Sequence, residues 1–293
     1  MCIRPGKEAR LDWLLDPLRY DFFVRALVVG MLLGVTCGAI GCFVVLRGMA
    51  FIGDALAHAI LPGVVIAYLL GVSIVGGAVI AGVLTALLIS AISRTEQVRE
   101  DAAIGIVFTG AFALGIVLIS RVQGYMRDLS HFLFGNILGI APGDMYVTAA
   151  ITLVVLLGLA LWYRELLVSS FDPGHARAIG LRLGPLHLGL TTLLALTVVG
   201  GIQAVGVVLV AALLVTPAAT ARLLTDRLPV MIGLAAALGC GAAVIGLYAS
   251  YYIAIASGGA VVLTSTLIFV LVLLLAPQRG VVARWNAQRA QSF

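Results

Sequence analysis

Phe51-Ile52-Gly53-Asp54-Ala55-Leu56-Ala57-His58-Ala59-Ile60-Leu61-Pro62-Gly63 continues to Leu70 without another charge. Roughly twenty apolar residues cross a bilayer as a helix, so 51–70 reads as a membrane span that holds one carboxylate and one imidazole. Asp54 is the only acidic residue between Asp21 and Glu96. A charge at the centre of a span costs at least about 2.5–3.5 kcal/mol on insertion scales, and ionisable groups kept there mark a pathway or a binding site. Spacing of four puts Asp54 and His58 on one helix face, one turn apart, where both can hold the same ion.

Further apolar runs occur at 22–46, 72–93, 102–120, 144–163, 228–250 and 258–276, with a longer one at 187–224. The long run either crosses twice, turning near Gly200, Gly201 and Gln203, or crosses once and continues as a re-entrant piece. The chain is 62% hydrophobic and only 11% charged, with a mean hydropathy of +1.17, whereas soluble domains carry about a quarter charged residues. An all-α polytopic membrane protein of eight or nine transmembrane helices follows. The organisation expected is an N-terminal interfacial segment over 1–21, with Leu11 to Tyr20 as a short surface helix, one permease-like membrane domain over 22–277, and a cytoplasmic tail over 278–293. The N-terminal segment has neither the apolar core nor the cleavage pattern of a signal peptide.

The net charge of +5 would point to nucleic acid in a soluble chain. Here the arginines fall in short gaps between spans, so a positive inner face is the reading and no nucleic-acid partner is expected. With nine crossings starting outside, the inner gaps hold Arg47, Arg94, Arg99, Arg164, Arg177, Arg182, Arg222, Arg227, Arg279, Arg284 and Arg289, against Arg121 and Arg127 outside. This places the C-terminus inside, although the N-terminal cluster Arg4, Lys7, Arg10, Arg19 and Arg25 runs against the rule. Gly30, Gly34 and Gly38 form a small-residue stripe that lets a second helix approach closely. Cys2, Cys37, Cys42 and Cys240 show no paired-motif spacing and read as small packing residues.

No G-x-x-x-x-G-K-[ST] loop, H-E-x-x-H helix or G-x-S-x-G elbow is present, so the chain is not expected to be an enzyme. Uphill transport would draw on an ion gradient or on a partner subunit. Asp54 and His58 offer carboxylate oxygen and imidazole nitrogen, which suit first-row divalent cations; the alternative is a pair hydrogen-bonded to neighbouring helices with no metal. Two ligands are too few for a four- to six-coordinate ion, and a symmetric pair of chains meeting at this helix would supply four.

Phe171-Asp172-Pro173-Gly174-His175-Ala176-Arg177-Ala178-Ile179-Gly180 lies in an arginine-bearing gap. Asp172 can cap a helix with Pro173 at its first position, and Gly180 can close it. Such a short helix on the inner face is a natural docking element for a cytoplasmic protein. On the outer side, Asp128 and His131, in a run that ends at Asn136, could form a gate or an access relay.

At these residues the chain resembles the integral membrane permeases of metal-ion ABC importers, the manganese, zinc and iron uptake family. The likeness rests on Gly41-Cys42-Phe43-Val44-Val45-Leu46-Arg47, on Gly53-Asp54-Ala55-Leu56-Ala57-His58-Ala59-Ile60-Leu61-Pro62-Gly63, and on Asp101-Ala102-Ala103-Ile104-Gly105-Ile106. It continues through Phe134-Gly135-Asn136-Ile137-Leu138-Gly139, the Phe171-Asp172-Pro173 run and Leu213-Leu214-Val215-Thr216-Pro217-Ala218-Ala219-Thr220-Ala221. The resemblance implies a type II ABC importer permease in a bacterial cell membrane, homodimeric and without a permanently bound cofactor. It would receive a metal from an extracytoplasmic binding protein and be driven by cytoplasmic ATPase subunits that hold the ATP. It implies Asp54 and His58 as the pair that coordinates the transported Mn²⁺ or Zn²⁺, with manganese favoured. It also implies ATPase coupling through Phe171, Asp172, Pro173, Ala176 and Gly180. Two departures from the family pattern are Ala57, where many relatives carry Ser, and Gly174-His175, where Glu-Leu is commoner. The rival readings are a proton-coupled secondary metal transporter using Asp54 as its relay, and a membrane scaffold that transports nothing.

Overall fold

A computed structural model of the chain describes residues 15–93, 98–120 and 139–276. Every long element among them is a helix. They are α1 (Asp21–Leu46), α2 (Ile52–Ala59), α3 (Leu61–Leu70), α4 (Ile74–Ser93), α5 (Glu100–Ile119) and α6 (Pro142–Leu161). There follow α7 (Tyr163–Phe171), α8 (Pro173–Ala178), α9 (Leu183–Val205), α10 (Val207–Leu224), α11 (Leu228–Ile253) and α12 (Ser257–Leu275). With α2 and α3 taken as one span, the described residues contain nine helices long and apolar enough to cross a membrane. The protein is therefore a multi-pass membrane protein. Of the expected N-terminal surface helix, the described part closes in a 3-10 turn, Pro17–Arg19, just before α1.

α1 is the central post. It touches α6, α7, α9, α10 and α11, and 72% of its apolar window is buried, against 17% for α5 and α12 at the periphery. Lipid tails are as apolar as leucine, so spans associate through close packing rather than through a hydrophobic drive. The glycine stripe supplies that closeness: a Cβ at Gly34 would stand 2.7 Å from the backbone of Gly239 and Cys240, and one at Gly38 would stand 2.8 Å from the backbone of Ala235. Both contacts are on α11. Gly30 is buried on the same helix. Thr36 adds a cross-helix hydrogen bond of 3.0 Å to Thr152 on α6. Cys37 and Cys42 are buried and Cys240 is half-buried, all three as free thiols.

Two local devices aim α2. At the end of α1, Gly48 sits at φ +74°, Gly48 N–H donates to the Val45 carbonyl and Met49 N–H to the Val44 carbonyl. That is the Schellman pattern, which requires a left-handed residue and so favours glycine. Met49 and Val44, the positions that pair in that motif, are both buried. Pro62 then interrupts the next span. It has no N–H to give to the carbonyl four residues back, that of His58, and the helix parts at Ile60.

The long run 187–224 crosses twice, and its turn is at Gly206 rather than at Gly200, Gly201 or Gln203. Gly206 alone separates α9 from α10, at φ 84° and ψ 166°, a conformation that side-chain-bearing residues rarely adopt. Gly200 and Gly201 serve packing instead. A Cβ at Gly200 would stand 2.7 Å from Ile151, and one at Gly201 would stand 2.5 Å from Val210.

Candidate metal-transit site

α2 lies against α5, α9 and α10. Its approach to α10 depends on Gly53, where any Cβ would run into the Leu214 side chain. With that face buried, Ile52, Ala55, Leu56 and Ala59 are in the core, and the opposite face carries Asp54 and His58. The Asp54 side chain is 54% exposed and that of His58 is 23% exposed; His58 Nε2 stands 3.6 Å from Asp54 Oδ1. That is too long for a hydrogen bond. At that separation both atoms could reach one small ion: donor atoms each about 2.0–2.2 Å from a first-row cation stand roughly 2.8–3.6 Å apart at octahedral to tetrahedral angles.

α5 builds the facing wall. The His58 ring lies 5.8 Å from Phe108 and 5.3 Å from Phe112, the second edge-on, and the two phenyl rings stack at 6.0 Å. Phe108 and Phe112 repeat on α5 the four-residue spacing of Asp54 and His58 on α2, and both rings lie against His58. They fix the imidazole and keep water from one side of it. Asp54 opens onto a cavity of about 260 Å³ that is also lined by Met49, Gly105 and Asp101. Asp101, in the first turn of α5, thus shares a cavity with Asp54. The described residues contain no group of three or more His, Cys, Asp or Glu that could hold a metal.

The match with the ABC 3 transport family model runs over residues 19–276. The chain belongs to this family. It is 50% identical to the manganese transport system membrane protein MntC of Halalkalibacterium halodurans, over 94% of this chain and 95% of that protein. It is 40% identical to the chelated iron transport system membrane protein YfeD of Yersinia pestis, over 88% of this chain and 87% of that one. Among solved structures, PsaBC from Streptococcus pneumoniae in complex with Fab matches with a TM-score of 0.83 and 36% identity, covering 96% of this chain and 99% of that one.

The family's permease character agrees with the architecture at the arginine-bearing end. There Asp172 Oδ1 accepts a 2.8 Å hydrogen bond from His175 N–H, and Pro173 opens α8. Leu181 N–H returns to the Ala176 carbonyl across Gly180, which sits at φ +84°. Ala176 is buried while Phe171 is half exposed, so α8 is pinned by its short side and presents the rest outward. Asp128, His131 and Asn136 lie outside the described residues. Sequence reasoning did not single out Phe112 or assign a role to Asp101. Asp101 opens the run 101–106 and Phe112 follows Phe108 by one turn, but only the pairing of α2 with α5 brings them to Asp54 and His58.

Proposed function

We propose that the chain is the permease subunit of an ATP-driven importer that takes a divalent transition-metal ion from an extracytoplasmic binding protein and passes it into the cytoplasm. Manganese is favoured and zinc is next. The observation that carries this reading is the Asp54–His58 pair at 3.6 Å on a broken span, facing a cavity. A hard oxygen and a borderline nitrogen suit Mn²⁺ and Zn²⁺, and relatives bearing manganese-transport names support the first. A single pair cannot complete a coordination sphere, so two copies meet about a twofold axis and contribute two carboxylates and two imidazoles.

The energy comes from ATPase subunits, since the chain has no phosphate-cradling loop of its own. They dock on Phe171, Asp172, Pro173, Ala176 and Gly180 through α8. The test is reconstitution of the chain with its ATPase and binding protein in vesicles. Mn²⁺ uptake is expected to need ATP and to vanish in Asp54→Ala and His58→Ala, while ATP hydrolysis continues. Metal uptake by the purified chain alone under a pH gradient would instead establish a proton-coupled carrier.

A further inference from the structure

A cavity of about 870 Å³ lies where the ends of α1, α4, α7 and α9 meet α8. Its polar side chains are hydroxyls, guanidiniums and an imidazole, all able to donate. Arg47 enters from α1, Ser90 and Ser93 from α4, Arg177 from α8 and His187 from α9, and no carboxylate lines it among the described residues. Arg47 is held in place, with Nη2 donating to Ser169 Oγ at 2.7 Å and Nε to Ser170 Oγ at 3.1 Å.

The serines of α4 are the second observation. Several other span hydroxyls bond back to their own helix, as Thr109 does to Gly105, Thr197 to Leu193 and Thr220 to Thr216, a common way for a membrane helix to satisfy them. Ser90 Oγ and Ser93 Oγ are buried and find no partner among the described residues, and Ser90 is only 3% exposed. A buried hydroxyl without a partner carries a desolvation cost that a ligand's acceptor can remove.

We propose that this cavity binds a phosphate group, presented either by the headgroup of an anionic lipid or by a soluble phosphate. A phosphate spreads its acceptors over at least three oxygens in three directions and carries more charge than a planar carboxylate, so it can meet the hydroxyls of α4 and a guanidinium fork together. The position suits this chemistry: the cavity is at the span ends on the arginine-rich side, where basic pockets between transmembrane helices meet lipid headgroups. Arg177 belongs to α8 and Arg47 to the α1 terminus, so an occupant ties α8 to the bundle. If α8 is the ATPase contact, as argued above, that tie stiffens the joint through which the stroke passes; the binding itself does not depend on that reading.

The test uses the full-length chain assembled with its ATPase, as wild type, Ser90→Ala/Ser93→Ala and Arg177→Gln. Retention of phosphatidylglycerol against phosphatidylcholine is read by native mass spectrometry, and binding of inorganic phosphate by ³¹P NMR line broadening. Each variant is expected to weaken the bound probe at least about tenfold, the loss typical of a hydrogen bond to a charged group. Selective loss of phosphatidylglycerol identifies a lipid headgroup, and loss of inorganic phosphate binding with lipid retention unchanged identifies a soluble ligand. Equal binding of both probes by all three proteins, or binding by none, overturns the proposal. So does an Arg177→Gln variant that loses the ATPase while binding phosphate normally, which would give the cavity to a carboxylate of that partner.

Discussion

Arg47 and Asp54 stand on either side of the Gly48 turn, and the two regions they belong to are chemical opposites. On the α2 side, a carboxylate and an imidazole face a cavity of about 260 Å³ against two phenyl rings. On the other side, guanidinium and hydroxyl groups line about 870 Å³ beneath the span ends. Arg47 is fixed by Ser169 and Ser170, whereas Asp54 and His58 meet only at 3.6 Å. The difference teaches how the chain treats its polar groups. Arg47 is fixed by its neighbours, whereas Asp54 opens onto a cavity with no hydrogen bond to His58, which is the arrangement the proposed metal role needs.

The comparison breaks first at Asp54. Asp54→Asn keeps the shape and removes the charge, so ATP-driven Mn²⁺ uptake should fall by at least about a hundredfold, more than the 10–100-fold typical of supporting residues around a metal. Uptake within a few-fold of wild type would mean that the pair is structural.

Next in size is the packing of the frame. Gly38→Leu forces a side chain against the Ala235 backbone, already 2.8 Å from where a Cβ would sit. Overpacking of this kind costs about 1–3 kcal/mol or more, visible as a lower melting temperature in detergent.

Gly48→Ala sharpens the link between the regions, because it strains the turn that joins them. A Cβ at φ +74° costs roughly 1–2 kcal/mol. Since no atom crowds that position, the variant should fold but lose Mn²⁺ affinity as α2 shifts, which titration of the assembled permease would measure. The smallest effect expected is at Asp172→Ala, where the lost cap on α8 costs about 1 kcal/mol. Uptake per ATP hydrolysed should drop while Mn²⁺ binding at Asp54 and His58 stays at the wild-type level.

Much of this arrangement is legible in the chain itself. The spans show as apolar runs, Asp54 and His58 as an isolated pair at helical spacing, and the α8 cap as Asp172-Pro173 with Gly180 behind it. What escapes is whatever depends on a second element. The turn at Gly206 is hidden because the run 187–224 offers several glycines, and only packing against Ile151 and Val210 separates those at 200 and 201, which fill a contact, from the one that bends. The break at Ile60 has its cause in Pro62, yet Pro62 alone does not say that the helix resumes at once, at Leu61. Phe112 looks like any lipid-facing aromatic until α5 is laid on α2. The spacing of Ser90 and Ser93 gives no hint that their hydroxyls leave their own helix and face the Arg47 cavity.

The most direct test of the central claim is electron paramagnetic resonance of Mn²⁺ bound to the assembled permease, with stoichiometry measured on the same sample. The account predicts one ion for every two chains, with imidazole nitrogen coupling that disappears in His58→Ala and binding that disappears in Asp54→Ala. One ion per chain, or a nitrogen coupling unchanged in His58→Ala, would contradict it.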